Sequence, residues 1–217
     1  MSKIIIKASE IGNLTDARYF SAWGVDWLGF SLDTENPAYI GPTQISAMRE
    51  WLSGPGIVAE MGPFSEAELL QQAVEILKPD ALQIGQFTAL QAVKTLGGSL
   101  TIIKEQIPDS LDQLADLEFE WREWAGTADF FLLNLEKNGF SWTTLKNDPK
   151  KMSTLKNLCA NFQVMLSLDF QSEELSQIID SLKPYGLAVK GGEEEKVGMK
   201  SFDELDAFFE TFEEINN

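Results

Sequence analysis

Short apolar runs alternate with amphipathic stretches along the whole chain. The runs are Ile4–Lys7, Trp27–Ser31, Ile57–Met61, Ala81–Ile84, Leu100–Lys104, Phe130–Leu133, Gln163–Leu166 and Leu187–Val189. Each is short and mostly apolar, which is how strands buried on both faces read. Between them the apolar residues take helical spacing. Glu66–Leu77 places Leu69, Leu70, Ala73, Val74 and Leu77 on one face, and Asp203–Ile215 does the same with Leu205, Phe208, Phe209 and Phe212. Ser65 followed by Glu68 has the form of a capping box at the start of the first of these helices. Pro63, Gly97-Gly98, Pro108 and Pro184 punctuate the joins.

Alternation of strand and helix implies parallel pairing with right-handed crossovers. Eight such units in 217 residues predict a (β/α)8 TIM barrel, one domain over residues 1–217. It is a compact version of a fold that typically takes ~250 residues. An open doubly wound sheet is the rival architecture. Its glycine-rich first turn is not matched by Lys7-Ala8-Ser9-Glu10-Ile11-Gly12. In a barrel, chemistry is expected just after the strands, at their C-terminal ends.

Composition narrows the chemistry. A hydrophobic fraction of 44% is enough for a full core. No apolar run reaches the ~20 residues of a membrane span. Lys7 and Glu10 interrupt any signal-peptide core near the start, and Cys159 is the only cysteine, so a cytoplasmic location is expected. The net charge of −17, with no basic stripe, argues against nucleic acid. The run Glu193-Glu194-Glu195 reads as solvated surface. There is no histidine, which removes the commonest general base, the commonest metal ligand and every Ser-His triad. No metal and no cofactor are expected.

Eight segments, in order along the chain, resemble the phosphoribosylanthranilate isomerase family of tryptophan biosynthesis. Lys7-Ala8-Ser9-Glu10-Ile11-Gly12-Asn13-Leu14-Thr15-Asp16-Ala17 is in register with the family's K-I-C-G-[IL]-T-R-x-E-D-A. Gly24-Val25-Asp26-Trp27-Leu28-Gly29-Phe30 is similar to G-A-D-x-x-G-F, and Asn36-Pro37-Ala38-Tyr39-Ile40 to S-P-R-Y-I. Asp80-Ala81-Leu82-Gln83-Ile84-Gly85-Gln86 follows D-x-x-Q-L-H-G. Leu132-Leu133-Asn134 stands for L-L-D, and Phe140-Ser141-Trp142 for F-D-W. Gly191-Gly192-Glu193-Glu194 and Gly198-Met199-Lys200 resemble S-S-G-V-E and G-x-K-D.

The resemblance implies an Amadori rearrangement of an aldose amine to a ketose amine. A carboxylic acid protonates the ring oxygen and a thiolate removes the proton from the sugar C2. At the thiol position stands Ser9, whose alkoxide is far less accessible than a thiolate. At the acid position stands Asn134, an amide with no acidic proton in the working range. The plainer reading makes both polar strand-end residues with local hydrogen bonds. The resemblance also implies substrate anchors that have changed. The family arginine is Ala38 and the family histidine is Gly85. The A-G-G phosphate loop is replaced by Ser167-Leu168-Asp169, with a carboxylate that repels phosphate. Lys190, Gly191 and Gly192 remain as an anion nest or, equally, as a flexible turn.

Other residues at strand ends offer alternatives. Lys7 and Lys104 are candidates for acid, base or Schiff-base amine, with Glu10, Glu60, Glu136 and Asp169 as carboxylates bordering the mouth. Lys7 is the stronger, because its place matches a family lysine; the plainer reading is a structural ion pair. Three functions follow. The first is an isomerase-type barrel with reduced or lost activity, kept for small-molecule binding or assembly. The second is a working isomerase with substitutes such as Glu10 as base and Glu136 as acid. The third is a different small-molecule enzyme using Lys7 and carboxylates. The expected ligand is small and anionic or phosphorylated, and the expected state is a monomer or homodimer, with no membrane partner. Trp23, Trp51, Trp121 and Trp124 are expected to pack helices on the barrel, or else to form a partner surface.

Overall fold

The computed structural model describes residues 3–98, 100–191, 194–196, 199–200 and 202–216. Eight parallel strands close into a barrel in chain order: β1 Ile5–Ser9, β2 Trp27–Ser31, β3 Gly56–Glu60, β4 Ala81–Ile84, β5 Thr101–Gln106, β6 Phe130–Asn134, β7 Val164–Ser167 and β8 Gly186–Lys190. β1 pairs with both β2 and β8, so no edge of this sheet is left open. The alternation in the sequence is therefore a TIM barrel, and the open sheet is excluded. Each apolar run falls on its strand: Trp27–Ser31 and Ala81–Ile84 coincide with β2 and β4, and the other ends shift by at most two residues.

Outside lie α1 Leu14–Ala22, α2 Pro42–Arg49, α3 Ala67–Leu77, α4 Leu90–Lys94, α5 Leu114–Glu123, α6 Trp142–Lys146, α7 Pro149–Asn161, α8 Leu175–Leu182 and α9 Asp203–Asn216. A two-stranded hairpin, β9 Glu194–Lys196 and β10 Met199–Lys200, lies between β8 and α9. Two local expectations are corrected. The start of α3 is not a capping box on Ser65: its N-cap is Glu66, and the buried Ser65 hydroxyl donates back to the Gly62 carbonyl at 3.3 Å. On the same helix Leu70, Ala73 and Leu77 are buried, but Leu69 is exposed, because the contact stripe is narrower than the apolar one.

Successive strand residues point alternately into the barrel and out toward the helices. The interior layers hold Val58, Ala81, Ile103, Leu132, Met165 and Ala188, with Trp27 and Phe130 packed against them. The larger outer core joins strands to helices. There Trp121 stacks on Phe131 at 4.4 Å between ring centroids, and Trp23 stacks on Phe209 of α9 at 5.2 Å. Trp124 is buried as well, whereas Trp51 is exposed. Three of the four tryptophans are thus ordinary helix packing. α9 also binds α1 through the Tyr19 hydroxyl, which donates to Asp206 at 2.6 Å.

The N-terminal end of the barrel carries a repeated device. Asp26, Asp80 and Asp129 stand just before β2, β4 and β6. Their carboxylates accept the backbone N–H of Ile6, Ile57 and Ile102 on the preceding strands at 2.9, 2.7 and 2.8 Å. Each thereby satisfies a strand N–H at the stable end of the fold and fixes the stagger between neighbours. The opposite end is left for chemistry.

Candidate functional site at the barrel mouth

Every strand carries a polar residue at its last inward position. The last inward positions are Ser9, Ser31, Glu60, Gln83, Glu105, Asn134, Ser167 and Lys190, and all eight line one cavity of about 210 Å³. All are polar. The mouth is a continuous ring of hydroxyls, amides and charges. Glu10, Asp33, Asn36, Gln86 and Lys137 extend the lining into the loops.

On the β1–β3 side the ring is organised by a buried ion pair. The ammonium of Lys7, with 0% exposure, donates to Glu60 and, at 2.8 Å, to the Ser9 hydroxyl. The second Glu60 oxygen accepts the backbone N–H of Glu10 at 3.0 Å. This pair crosses β2 at Gly29. A Cβ there would stand 2.0 Å from Glu60 Oε1 and 2.9 Å from Lys7 Nζ. Gly29 is therefore required by the close approach of the ion pair and not by a turn. Lys7 itself does not line the cavity. It lies behind the ring and holds Ser9 and Glu60 in place.

Glu10 adopts a left-handed backbone, with φ of 55°. Its carboxylate meets Lys190 at 3.3 Å and accepts from the Asn36 amide at 3.2 Å. Burial pushes its carboxyl upward, but Lys190, Asn36 and the more distant Lys137 outweigh burial and hold it below its ordinary value. On the far side, Asn134 uses both ends of its amide. Nδ2 donates to Glu105 Oε1 at 2.8 Å, and Oδ1 accepts the Lys137 backbone N–H at 3.1 Å. The Ser167 hydroxyl donates to Glu136 at 2.8 Å.

The remaining candidates fall away from the cavity. Ala38 lies in the β2–α2 loop, its N–H bound to the Asn36 side chain at 2.8 Å. Gly85 is pressed against the β3 loop: a Cβ would meet the Gly62 carbonyl at 2.4 Å and Pro63 Cα at 2.4 Å. A histidine at that place has no room. Lys104 is not at the mouth, contrary to expectation. Ile103 and Glu105 on either side face inward, so Lys104 points outward, donating to the Gly85 carbonyl at 2.8 Å and lying 4.9 Å from the Trp124 ring centre. Burial depresses its ammonium to about 8, against weaker upward pulls from Glu105 and Glu120. Its neighbour Glu105, which the sequence reading passed over, takes the inward place. Gln83 was legible only as a motif residue, and Ser31 not at all. A polar residue at the last inward position of every strand is the signal that marks them.

Beside the cavity an open groove of about 900 Å³ runs between the seventh and eighth loops and α9. It is lined by Glu136, Asp169, Glu173, Asp203 and Glu204, with Lys190 and Gly191. Asp169 stands where the resemblance places a phosphate loop, and its backbone carbonyl accepts the Trp142 N–H at 2.8 Å. Gly192 and Glu193 lie outside the described residues, as do Gly198 and the side chains of Glu194 and Glu195. Among the described residues no group of side chains has the makings of a metal site, and no helix is long and apolar enough to cross a membrane.

Comparison with known proteins bears on the architecture and its kinship. An N-(5'-phosphoribosyl)anthranilate isomerase of Agrobacterium fabrum is 26% identical over 201 residues, covering 86% of this chain and 84% of that protein. The crystal structure of the Thermotoga maritima phosphoribosyl anthranilate isomerase superposes with a TM-score of 0.79 at 20% identity, over 98% of this chain and all of that one. This chain resembles the phosphoribosylanthranilate isomerases. The low identity marks it as a divergent relative, and no family model matches it. A further isomerase structure, in complex with reduced 1-(o-carboxyphenylamino)-1-deoxyribulose 5-phosphate, superposes with a TM-score of 0.75 at 19% identity, covering 98% of this chain and 100% of that one.

Proposed function

We propose that this chain is a phosphoribosylanthranilate isomerase-type barrel in which isomerisation is lost or strongly reduced and the mouth is kept as a small-molecule binding site. The reading rests on the hydrogen bonding of the two residues at the acid and base places. Ser9 accepts from the Lys7 side chain, which would favour an alkoxide but supplies no base to take the hydroxyl proton. Asn134 has both amide ends engaged and no acidic proton to give. General acid and general base each contribute about 10²- to 10⁴-fold, so loss of both removes most of such a reaction.

The rival readings gain less support. Glu10 as substitute base is disfavoured by the charges that lower its basicity, and Glu136 as substitute acid lies toward the groove, accepting from Ser167. An enzyme built on Lys7 as amine nucleophile is disfavoured because that ammonium is enclosed behind the ring. Expression in a tryptophan auxotroph lacking its isomerase tests the proposal. No growth without tryptophan is expected, although folded protein accumulates; growth at the rate of an isomerase-complemented strain overturns it.

A further inference from the structure

The mouth has an electrostatic imbalance that points to the charge of its ligand. Its carboxylates are Glu10, Asp33, Glu60 and Glu105, and its ammonium groups are Lys137 and Lys190, with Lys7 behind. Lys190 pairs with Glu10, and Lys7 with Glu60. Asp33 is partly solvated and accepts the Glu35 N–H at 3.1 Å. Glu105 is different. It is 8% exposed, and among the described residues no cation lies within ion-pair distance and its one side-chain hydrogen bond is from the neutral Asn134 amide. A carboxylate so placed on the cavity wall has acceptor capacity left for a donor that enters.

The second observation is independent of that charge. Gln83, on the neighbouring strand β4, lines the same cavity and is 5% exposed, and its Oε1 is buried with no hydrogen-bond partner. Buried acceptors are normally satisfied, so an orphan here marks a place for a donor. The terminal torsion of a glutamine is soft, and the carbonyl can turn onto a group that enters beside Glu105. The serines and amides around the ring suit hydroxyl groups. Resting on the reading of the mouth as a binding site, we infer that it takes a small polyhydroxylated primary amine, with the ammonium seated on Glu105 and Gln83. That differs from the anionic ligand that the family resemblance implies.

One carbon skeleton carrying three different end groups tests the charge. The probes are 1-amino-1-deoxysorbitol, sorbitol and sorbitol 6-phosphate, titrated calorimetrically against the full chain. The amine is expected to bind about tenfold or more tighter than sorbitol, the scale of one charge-assisted hydrogen bond, and the phosphate weakest of the three. Glu105→Gln retains a group that can pair with Asn134. It is expected to unfold at the wild-type temperature and to bind the amine no more tightly than sorbitol. Preference for the phosphate, or equal binding of all three, overturns the inference and leaves the mouth a binding site. An amine preference that survives Glu105→Gln overturns the seat at Glu105. Heat from none of the three overturns the inference. Isomerase turnover, measured separately, is what removes the reading beneath it.

Discussion

Asn134 and Glu105 show how a single atom changes a site. The motif that this segment resembles has an acid at that place; here an amide donates to Glu105 at 2.8 Å. Asn134→Asp would set two buried carboxyl groups at that distance, and such a pair cannot hold two negative charges. The variant is expected to be destabilised at neutral pH and to recover as pH falls through the carboxylate range. Glu105→Gln in the same chain restores stability at neutral pH. Urea unfolding of the single and double variants from pH 4 to 8 checks this; a pH-independent deficit contradicts it. Lys104 offers a second test. Burial holds its ammonium at about 8, below its ordinary 10.5. Between those values the unfolded chain binds a proton that the folded chain does not. This group therefore adds stability as pH rises from about 8 and withdraws it as pH falls back. Relative to Lys104→Met, wild type is expected to gain in unfolding free energy between pH 8 and 10, and a constant difference contradicts the assignment.

At the scale of elements, β1, β2 and β3 act as one unit. Lys7 and Glu60 join the outer two across Gly29, and the pair holds the loop carrying Glu10 through its N–H. Removing one member leaves a buried charge alone and costs about 3–5 kcal/mol. Lys7→Met and Glu60→Leu are each expected to lose stability in that range, and the double variant to recover most of it, as read by denaturant midpoints. Additive losses would mean that the two groups do not act together. This unit also explains what was legible. Ser9 and Asn134 stand at strand ends whatever the exact register, so sequence position located them. Lys104 and Glu105 are adjacent, and both faces of a barrel strand are buried, so hydrophobicity alone cannot tell which of them points inward. A shift of one residue in register reverses the assignment, and with it the view of which charge faces the ligand.

At the scale of the whole molecule, the barrel separates stability from chemistry. The aspartates before β2, β4 and β6 tie the strands at one end, and the polar ring occupies the other. The rhythm of short apolar runs was sufficient for the fold, because eight strand–helix units have few ways to bury two-faced strands. The ring was not legible as a unit, since its members are brought together from eight separate strand ends and include unremarkable serines and amides. The core layers of Val58, Ala81, Ile103, Leu132, Met165 and Ala188 lie below the mouth. The central claim is that this mouth holds no acid and base able to run the isomerisation. Fluorescence-monitored turnover of N-(5'-phosphoribosyl)anthranilate by the purified chain tests it most directly. The account predicts a rate indistinguishable from the buffer background; turnover that Ser9→Ala or Asn134→Ala abolishes would contradict it.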